Sequence, residues 1–159
     1  MSADIPLVST TNMLILKGDE ALFIKRSEKL ENFPGWYMLP GGKQEHDETP
    51  MRAAIIETFE ETGLKVIKPQ LKVVATHFHE YKPKVYLVFI YLAREFSGRL
   101  IEKSEEGELI WLSVNKILED PKLYPDLKRH FRLIFEGDGQ EVIFTYHRFN
   151  KDLEIIETL

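Results

Sequence analysis

At 159 residues the chain is sized for one domain, long enough to bury roughly 69% of the surface its unfolded form exposes. It has no cysteine, which excludes disulfides, thiolate metal sites and a thiol enzyme, and suits a reducing, intracellular setting. Lys and Arg number 21 against 26 Asp and Glu, a net charge of −5 spread along the chain, so nothing marks a surface for a polynucleotide or an anionic membrane.

The first residues, Met1 to Val8, lack the basic stretch and apolar core of a secretory signal, so a cytoplasmic protein is expected. Leu7 to Leu16 and Ala21 to Arg26 read as strands joined by the hairpin signal Lys17-Gly18-Asp19-Glu20. Ser27 to Asp47, with Pro34, Gly35, Pro40, Gly41 and Gly42, reads as a loop built for turns and close backbone approach. A helix follows over Pro50 to Thr62, with Thr49 as N-cap, Pro50 at its first position and Gly63 just past its end.

Leu71 to Glu80 and Lys84 to Ala93 read as strands joined near Tyr81-Lys82-Pro83. Within the second, Val85 to Ala93 is the longest apolar run; a bilayer takes about 20 residues, so this is a buried central strand. Glu108 to Leu112 is a short strand before a helix at Val114 to Glu119. Leu123 to Phe135 is a second long helix, with Leu127, Phe131, Ile134 and Phe135 at helical spacing and Gly137-Asp138-Gly139 ending it. Glu141 to Phe149 and Leu153 to Thr158 close the chain as strands around Asn150-Lys151-Asp152. There is no internal repeat, linker or low-complexity tract, so residues 1–159 are expected to form one α+β domain with a mixed sheet.

The chemistry concentrates on the first helix. At 100° per residue, Glu57, Glu60 and Glu61 share an arc of about 100°, close enough to hold one ion or neighbouring ions. Ala53 and Ala54 fall on the same face and leave room for a ligand, while Ile55 and Phe59 on the opposite face are expected to dock the helix onto the sheet. An all-oxygen cluster suits a hard ion, Mg²⁺ or Mn²⁺, bound together with substrate phosphates. Leu39-Pro40-Gly41-Gly42-Lys43 can bring backbone groups to a phosphate or metal, and Glu48 adds a fourth carboxylate at the helix entrance.

Gly42, five residues, Glu48, seven residues, then Ile56-Glu57-Thr58-Phe59-Glu60-Glu61-Thr62-Gly63-Leu64 resembles the Nudix box over 23 residues. Two positions depart from it: Ile56 stands for the family's Arg, and Thr58 for an aliphatic residue. Upstream, Phe23 to Ser27 and Gly35 to Pro40 also resemble the family's approach to the box. The resemblance implies a Nudix hydrolase, an α/β/α sandwich with a mixed central sheet, cleaving a nucleoside diphosphate derivative with a divalent metal. It implies Glu57, Glu60 and Glu61 as catalytic metal ligands, the Gly41 carbonyl as another, and Glu48 as a supporting carboxylate. Ile56 cannot pair with Glu48 as the family's Arg does, so Glu48 is expected to find another donor or to reach metal through water. Ile56 lies on the helix flank, outside the expected core face.

Ser104-Glu105-Glu106-Gly107-Glu108 lies where the family takes a further carboxylate. Glu106 is the choice, as metal ligand or base for the attacking water, with Glu105 in reserve. Arg26 and Lys43 flank the glycine loop as phosphate contacts. The tail, with Tyr124-Pro125-Asp126, resembles the MutT-type enzymes that sanitise nucleoside triphosphates. This implies a purine nucleoside triphosphate, oxidised or not, as substrate, with Asp126 as a base contact, although Leu127 stands where such enzymes can carry a second acid. Tyr81 is similar to a residue of diadenosine polyphosphate hydrolases, ADP-ribose is a further alternative, and Phe33, Trp36, Tyr37 and Phe78 are candidates to stack on a base or to fill the core. A non-catalytic nucleotide-binding regulator with a degenerate box is the alternative from another class.

His77 and His79 face one side of a strand, but no third ligand is identifiable, so both read as structural. Lys128-Arg129-His130 reads as a solvated helix face. The expected partners are a nucleotide and, at most, a second copy of the chain, with no polynucleotide and no membrane.

Overall fold

The computed structural model describes residues 4–81 and 83–159. Met1 to Ala3 of the stretch read for a signal, and Lys82 of the expected turn, lie outside the described residues. Among the described residues no helix is long and apolar enough to cross a membrane.

The strands β1 (Leu7–Lys17) and β2 (Glu20–Arg26) form the expected hairpin. The glycine-rich stretch carries two short strands, β3 (Tyr37–Met38) and β4 (Gly41–Lys43). After α1 (Pro50–Thr62) come β5 (Leu64–Ile67), β6 (Gln70–His79), β7 (Lys84–Ala93) and β8 (Glu95–Gly98). The remaining elements are β9 (Gly107–Ser113), the four-residue α2 (Val114–Ile117), α3 (Pro125–Glu136), β10 (Ile143–Phe149) and β11 (Ile155–Thr158).

The main sheet runs β11-β10-β6-β7-β1-β2-β3, with β4 paired to β1 and β9 to β2. It is mixed: β1 lies parallel to β7 and β10 parallel to β6, while β6–β7 and β1–β4 are antiparallel. β5 and β8 form a separate two-stranded ribbon beside α1 that the sequence pattern did not separate from the loops.

β1 shows why helices cover both faces. Its side chains alternate, so Leu14 and Leu16 enter a core with Leu127, Phe131 and Ile134 of α3, while Met13 and Ile15 enter a second core with Ala54 of α1. The fold is therefore α+β, a mixed sheet between α1 on one face and α3 on the other. α3 buries Leu127, Phe131 and Ile134 as its spacing requires, whereas Phe135 is at the surface.

The α1 boundaries follow their local signals. Thr49 Oγ1 accepts the Arg52 N–H at 3.2 Å, and Gly63 takes the left-handed conformation at φ 78°, its N–H donating to Phe59 O at 2.8 Å. The buried face of α1 corrects the sequence expectation. It consists of Ala53, Ala54, Thr58 and Thr62, while Phe59 is 55% exposed. Ile55 packs at the margin of the second core. The small residues make room for the sheet rather than for a ligand: they let α1 lie close on β1 and β4, where a phenylalanine would hold it away.

This orientation predicts opposite outcomes for two substitutions. Ala54→Leu should destabilise the protein by about 1–3 kcal/mol through overpacking, and Phe59→Ser should stay within about 0.5 kcal/mol. Chemical denaturation of both variants checks the placement.

Candidate active site

The acidic helix meets the glycine strand at contact distance. Gly41 N–H donates to Glu61 Oε2 at 2.8 Å. A Cβ on Gly42 would fall on the Glu57 carboxylate, and one on Gly41 would collide with the Thr11 carbonyl, so both positions depend on the missing side chain. β4 is held in turn by its pairing to Thr10, Thr11 and Asn12 of β1 and by Met13 N–H donating to Pro40 O at 2.8 Å.

Glu57 and Glu61 are half-buried here and Glu60 is exposed. Burial pushes the Glu61 carboxyl up to about 8 against the Gly41 hydrogen bond, with Glu106, Glu57 and Glu60 repelling its charge. Glu57 is raised by burial and then by Glu60, Glu48, Glu45 and Glu106. These carboxylates crowd one another with no cationic side chain among them in these interactions. An oxygen-only set that disfavours its own charge, on a cradle that a Cβ would fill, fits a hard divalent cation.

Glu48 has the substitute donor that Ile56 made necessary: Glu45 N–H donates to its Oε1 at 2.9 Å, and Gln44 Nε2 donates to its backbone carbonyl at 2.6 Å. Ile56 itself is half-buried.

On its other flank β4 lines a cleft of about 310 Å³. Gly41, Gly42, Lys43, Arg26 and Glu106 contribute to its wall, and so do Phe33, Tyr124, Asp126, His77 and His79. The three α1 glutamates are not among the lining residues but adjoin the cleft through Gly41 and Gly42, which Glu61 and Glu57 touch. Arg26 Nη1 pairs with Glu106 Oε2 at 3.0 Å, and its Nε donates to Asn32 O at 3.0 Å. Glu105 is exposed and outside the cleft wall.

Of the aromatic candidates, only Phe33 lines the cleft. Its backbone is left-handed at φ 52°, and its ring packs edge-on against Tyr124 and Trp36, at 4.8 and 5.6 Å between centroids. Tyr37 packs against core Phe23, and Phe78 carries the Arg148 guanidinium over its ring. Tyr81 is 68% exposed in the turn after β6, away from the cleft wall.

Asp126 is 3% exposed at the start of α3. The segment around it is fixed by Tyr37 N–H donating to Lys122 O and Tyr124 N–H donating to Tyr37 O. Burial raises its carboxyl to about 7, against the backbone N–H groups of Leu127 and Asp126 itself. Oδ2 lies 3.3 Å from His77 Nε2 and 3.8 Å from His130 Nδ1, while Oδ1 is buried with no hydrogen-bond partner.

The histidines correct two expectations. His130 is fully buried rather than on a solvated face, and the groups that join His77 are His130 and His147, not His79. Sequence reasoning passed over His147, and the available signals were His130 four residues after Asp126, hence on the same helix face, and His147 alternating with Phe149 on a strand. His79 instead stacks on Phe149 at 4.8 Å. Burial is the first cause that holds His77, His130 and His147 in their neutral form, with His130 lowered to about 3 and His147 to about 4.

Comparison with known proteins agrees with this geometry. The NUDIX domain family matches residues 6–134. The chain is 33% identical over 153 residues to the uncharacterized Nudix hydrolase YvcI of Bacillus subtilis (strain 168), covering 94% of this chain and 92% of that one. It is 30% identical over 82 residues to the 8-oxo-dGTP diphosphatase of Proteus vulgaris, covering 52% and 71%. The crystal structure of the mutator MutT protein from Bacillus halodurans superposes with a TM-score of 0.84 at 26% identity, covering 96% of each chain. Fold and site together define a pyrophosphohydrolase with an acidic helix docked on a glycine strand. The chain belongs to the Nudix family, as a hydrolase of the MutT type.

The opposing protonation of Asp126 and the histidines gives a differential pH dependence in chelator. His147, lowered from 6.5 to about 4, contributes stability that is lost as pH falls through that window. Asp126, raised from 3.8 to about 7, contributes stability that is lost as pH rises through its own. The melting-temperature difference between the unmodified protein and His147→Gln should therefore shrink from pH 6.5 to 4. The difference from Asp126→Asn should shrink from pH 4 to 7.

Proposed function

We propose that this domain, spanning the 159 residues, hydrolyses a purine nucleoside triphosphate, oxidised or not, to the monophosphate and pyrophosphate with Mg²⁺, Mn²⁺ being a possible substitute. The observation that carries the reading is a single cleft that presents Lys43 and Arg26 beside the glycine strand together with Asp126 and Phe33. Cationic groups suit a polyphosphate, and a buried carboxyl beside an aromatic ring suits a base edge.

Glu57, Glu60, Glu61 and the Gly41 carbonyl would hold the metal, with Glu48 in support. When bound, the ion neutralises phosphate charge and lowers the pKa of a water. The chain's own groups do the positioning. Lys43 and Arg26 receive phosphate oxygens at the cleft wall, and the Arg26 ion pair orients Glu106 towards the same wall, where it would take a proton from the attacking water. Phe33, braced by Trp36 and Tyr124, offers its ring to the base. Asp126 Oδ1, buried and unpartnered, would accept an N–H from the purine edge. The name of the Proteus vulgaris relative supports an oxidised guanine nucleotide as one substrate to test. The enzyme is taken to act in the cytoplasm as a monomer or homodimer, and its net charge of −5 supports action without nucleic acid.

Product analysis with Mg²⁺ or Mn²⁺ against ordinary and oxidised nucleoside triphosphates, diadenosine tetraphosphate and ADP-ribose tests this. Release of monophosphate and pyrophosphate from a triphosphate is expected, and Glu60→Gln should cut turnover at least about 100-fold. Preferred turnover of the dinucleotide or ADP-ribose would move the substrate. Metal-dependent nucleotide binding without turnover would make the protein a regulator. For the base contact, Asp126→Asn should raise KM for the preferred purine triphosphate about tenfold or more while leaving kcat within a few-fold.

A further inference from the structure

Behind the cleft lies a polar cluster that the proposed hydrolysis does not use. His77 comes from β6, His130 from α3 and His147 from β10, and one ring nitrogen from each lies within 4.8 Å of the other two. β6 and β10 are parallel neighbours in which His77 and His147 stand opposite each other. α3 lays His130 over them, its ring centroid 5.1 Å from His147 and 6.2 Å from His77.

The arrangement is poorly satisfied by hydrogen bonds alone. His130 Nε2 and His147 Nε2 face each other at 3.1 Å, so one proton at most fits between them. His77 Nε2, His130 Nδ1 and Asp126 Oδ1 are buried without a hydrogen-bond partner. A buried imidazole nitrogen without a partner is costly, and a cluster in which His77 Nε2 is left so, while two further imidazole nitrogens compete for one proton, calls for a missing partner.

We infer that His77, His130 and His147 form a site for a late first-row divalent cation, Zn²⁺ in the first instance, separate from the carboxylate cluster on α1. The donor set is three imidazoles, which Zn²⁺ accepts and Mg²⁺ does not favour. With Zn–N bonds of about 2.0–2.1 Å, tetrahedral ligand nitrogens stand about 3.3 Å apart, close to the 3.1 Å between His130 and His147.

The outward nitrogen of His147 already faces a partner of the kind metal-bound histidines use: His147 Nδ1 is 3.1 Å from Thr158 Oγ1, while His130 Nδ1 has only the charge contact with Asp126 Oδ2 at 3.8 Å. Asp126 adds negative charge beside the site, offsetting the nearby Arg129 guanidinium that both rings sense. Burial keeps the imidazoles neutral, so their lone pairs are available at ordinary pH. His77 also lines the cleft, which gives an ion a way in. The inference is independent of the substrate proposed above.

The test is metal binding by the full chain, stripped with chelator and then titrated with Zn²⁺ in buffer holding excess Mg²⁺. One Zn²⁺ per chain is expected to remain after dialysis, with a rise in melting temperature, and Co²⁺ in its place should give the visible absorption of a tetrahedral nitrogen-rich site. Glu60→Gln should keep this binding, while His130→Gln and His147→Gln should each weaken it at least about tenfold. Circular dichroism shows whether each variant folds, and the Co²⁺ spectrum of the unmodified chain answers the question without any variant. Absence of stoichiometric Zn²⁺ and of the Co²⁺ bands, or Zn²⁺ binding lost in Glu60→Gln but kept in folded His147→Gln, would overturn the site.

Discussion

The approach of α1 to β4 is the constraint on which the rest of the site depends. Two surfaces must be nearly free of side chains for it to occur: the helix offers Ala53, Ala54, Thr58 and Thr62, and the strand offers Gly41 and Gly42. The resulting contact places Glu57 against Gly42 and Glu61 on the Gly41 N–H. Burial of Ala54 and Ile55 in the core they share with Met13 and Ile15 of β1 holds the carboxylates together, because left to themselves they would separate. Their raised affinity for protons measures that repulsion and desolvation. Hydrogen bonding by β4 to β1 fixes the glycine strand in the sheet, so packing against β1 is transmitted directly to the geometry of the acidic cluster.

β1 performs two jobs at once. Its alternating side chains anchor both cores, and its residues Thr10, Thr11 and Asn12 form part of the cleft wall where β4 pairs with it. A displacement of this strand would loosen α1 on one face and α3 on the other. Since α3 carries Asp126 and α1 carries the glutamates, the two chemical ends of the site share one rigid element. That is how a protein that mostly positions its substrate holds the required distances.

Most of the architecture is legible in the sequence because its local signals are strong. Thr49, Pro50 and Gly63 mark α1 to the residue, and the Gly-x5-Glu-x7 spacing with Glu57, Glu60 and Glu61 identifies the family. The orientation of α1 is less legible. A rule that places the largest apolar residues inside selects Phe59, but close approach to a glycine strand requires the smallest ones there, and Phe59 is left in solvent. The short β5–β8 ribbon is equally hard to read, because four-residue strands carry little periodicity. The histidine cluster is hardest. Its members are separated by 53 and 17 positions and meet only because β10 pairs with β6, an association set by the whole topology rather than by local pattern.

The two polar clusters differ in exposure in the way their chemistry demands. In the proposed reading the α1 glutamates would hold Mg²⁺, which sheds water reluctantly and binds through a few carboxylates together with substrate phosphates, and a helix open to solvent suits that role. Glu60 is exposed and Glu57 and Glu61 are only half-buried. Neutral imidazoles can be buried at far lower cost than carboxylates, and three of them leave a tetrahedral ion one position for a water or a fourth donor. His77, His130 and His147 are accordingly buried between the sheet and α3, with His77 at the cleft wall. Asp126 stands between the cleft and this buried cluster, with Oδ2 turned towards His77 and His130. Charge placed on the imidazoles by a bound cation would therefore favour the ionised form of Asp126, and with it an acceptor rather than a donor at the base end of the cleft. If Asp126 reads the base as proposed, occupancy of the buried site would act on substrate preference through that one carboxylate.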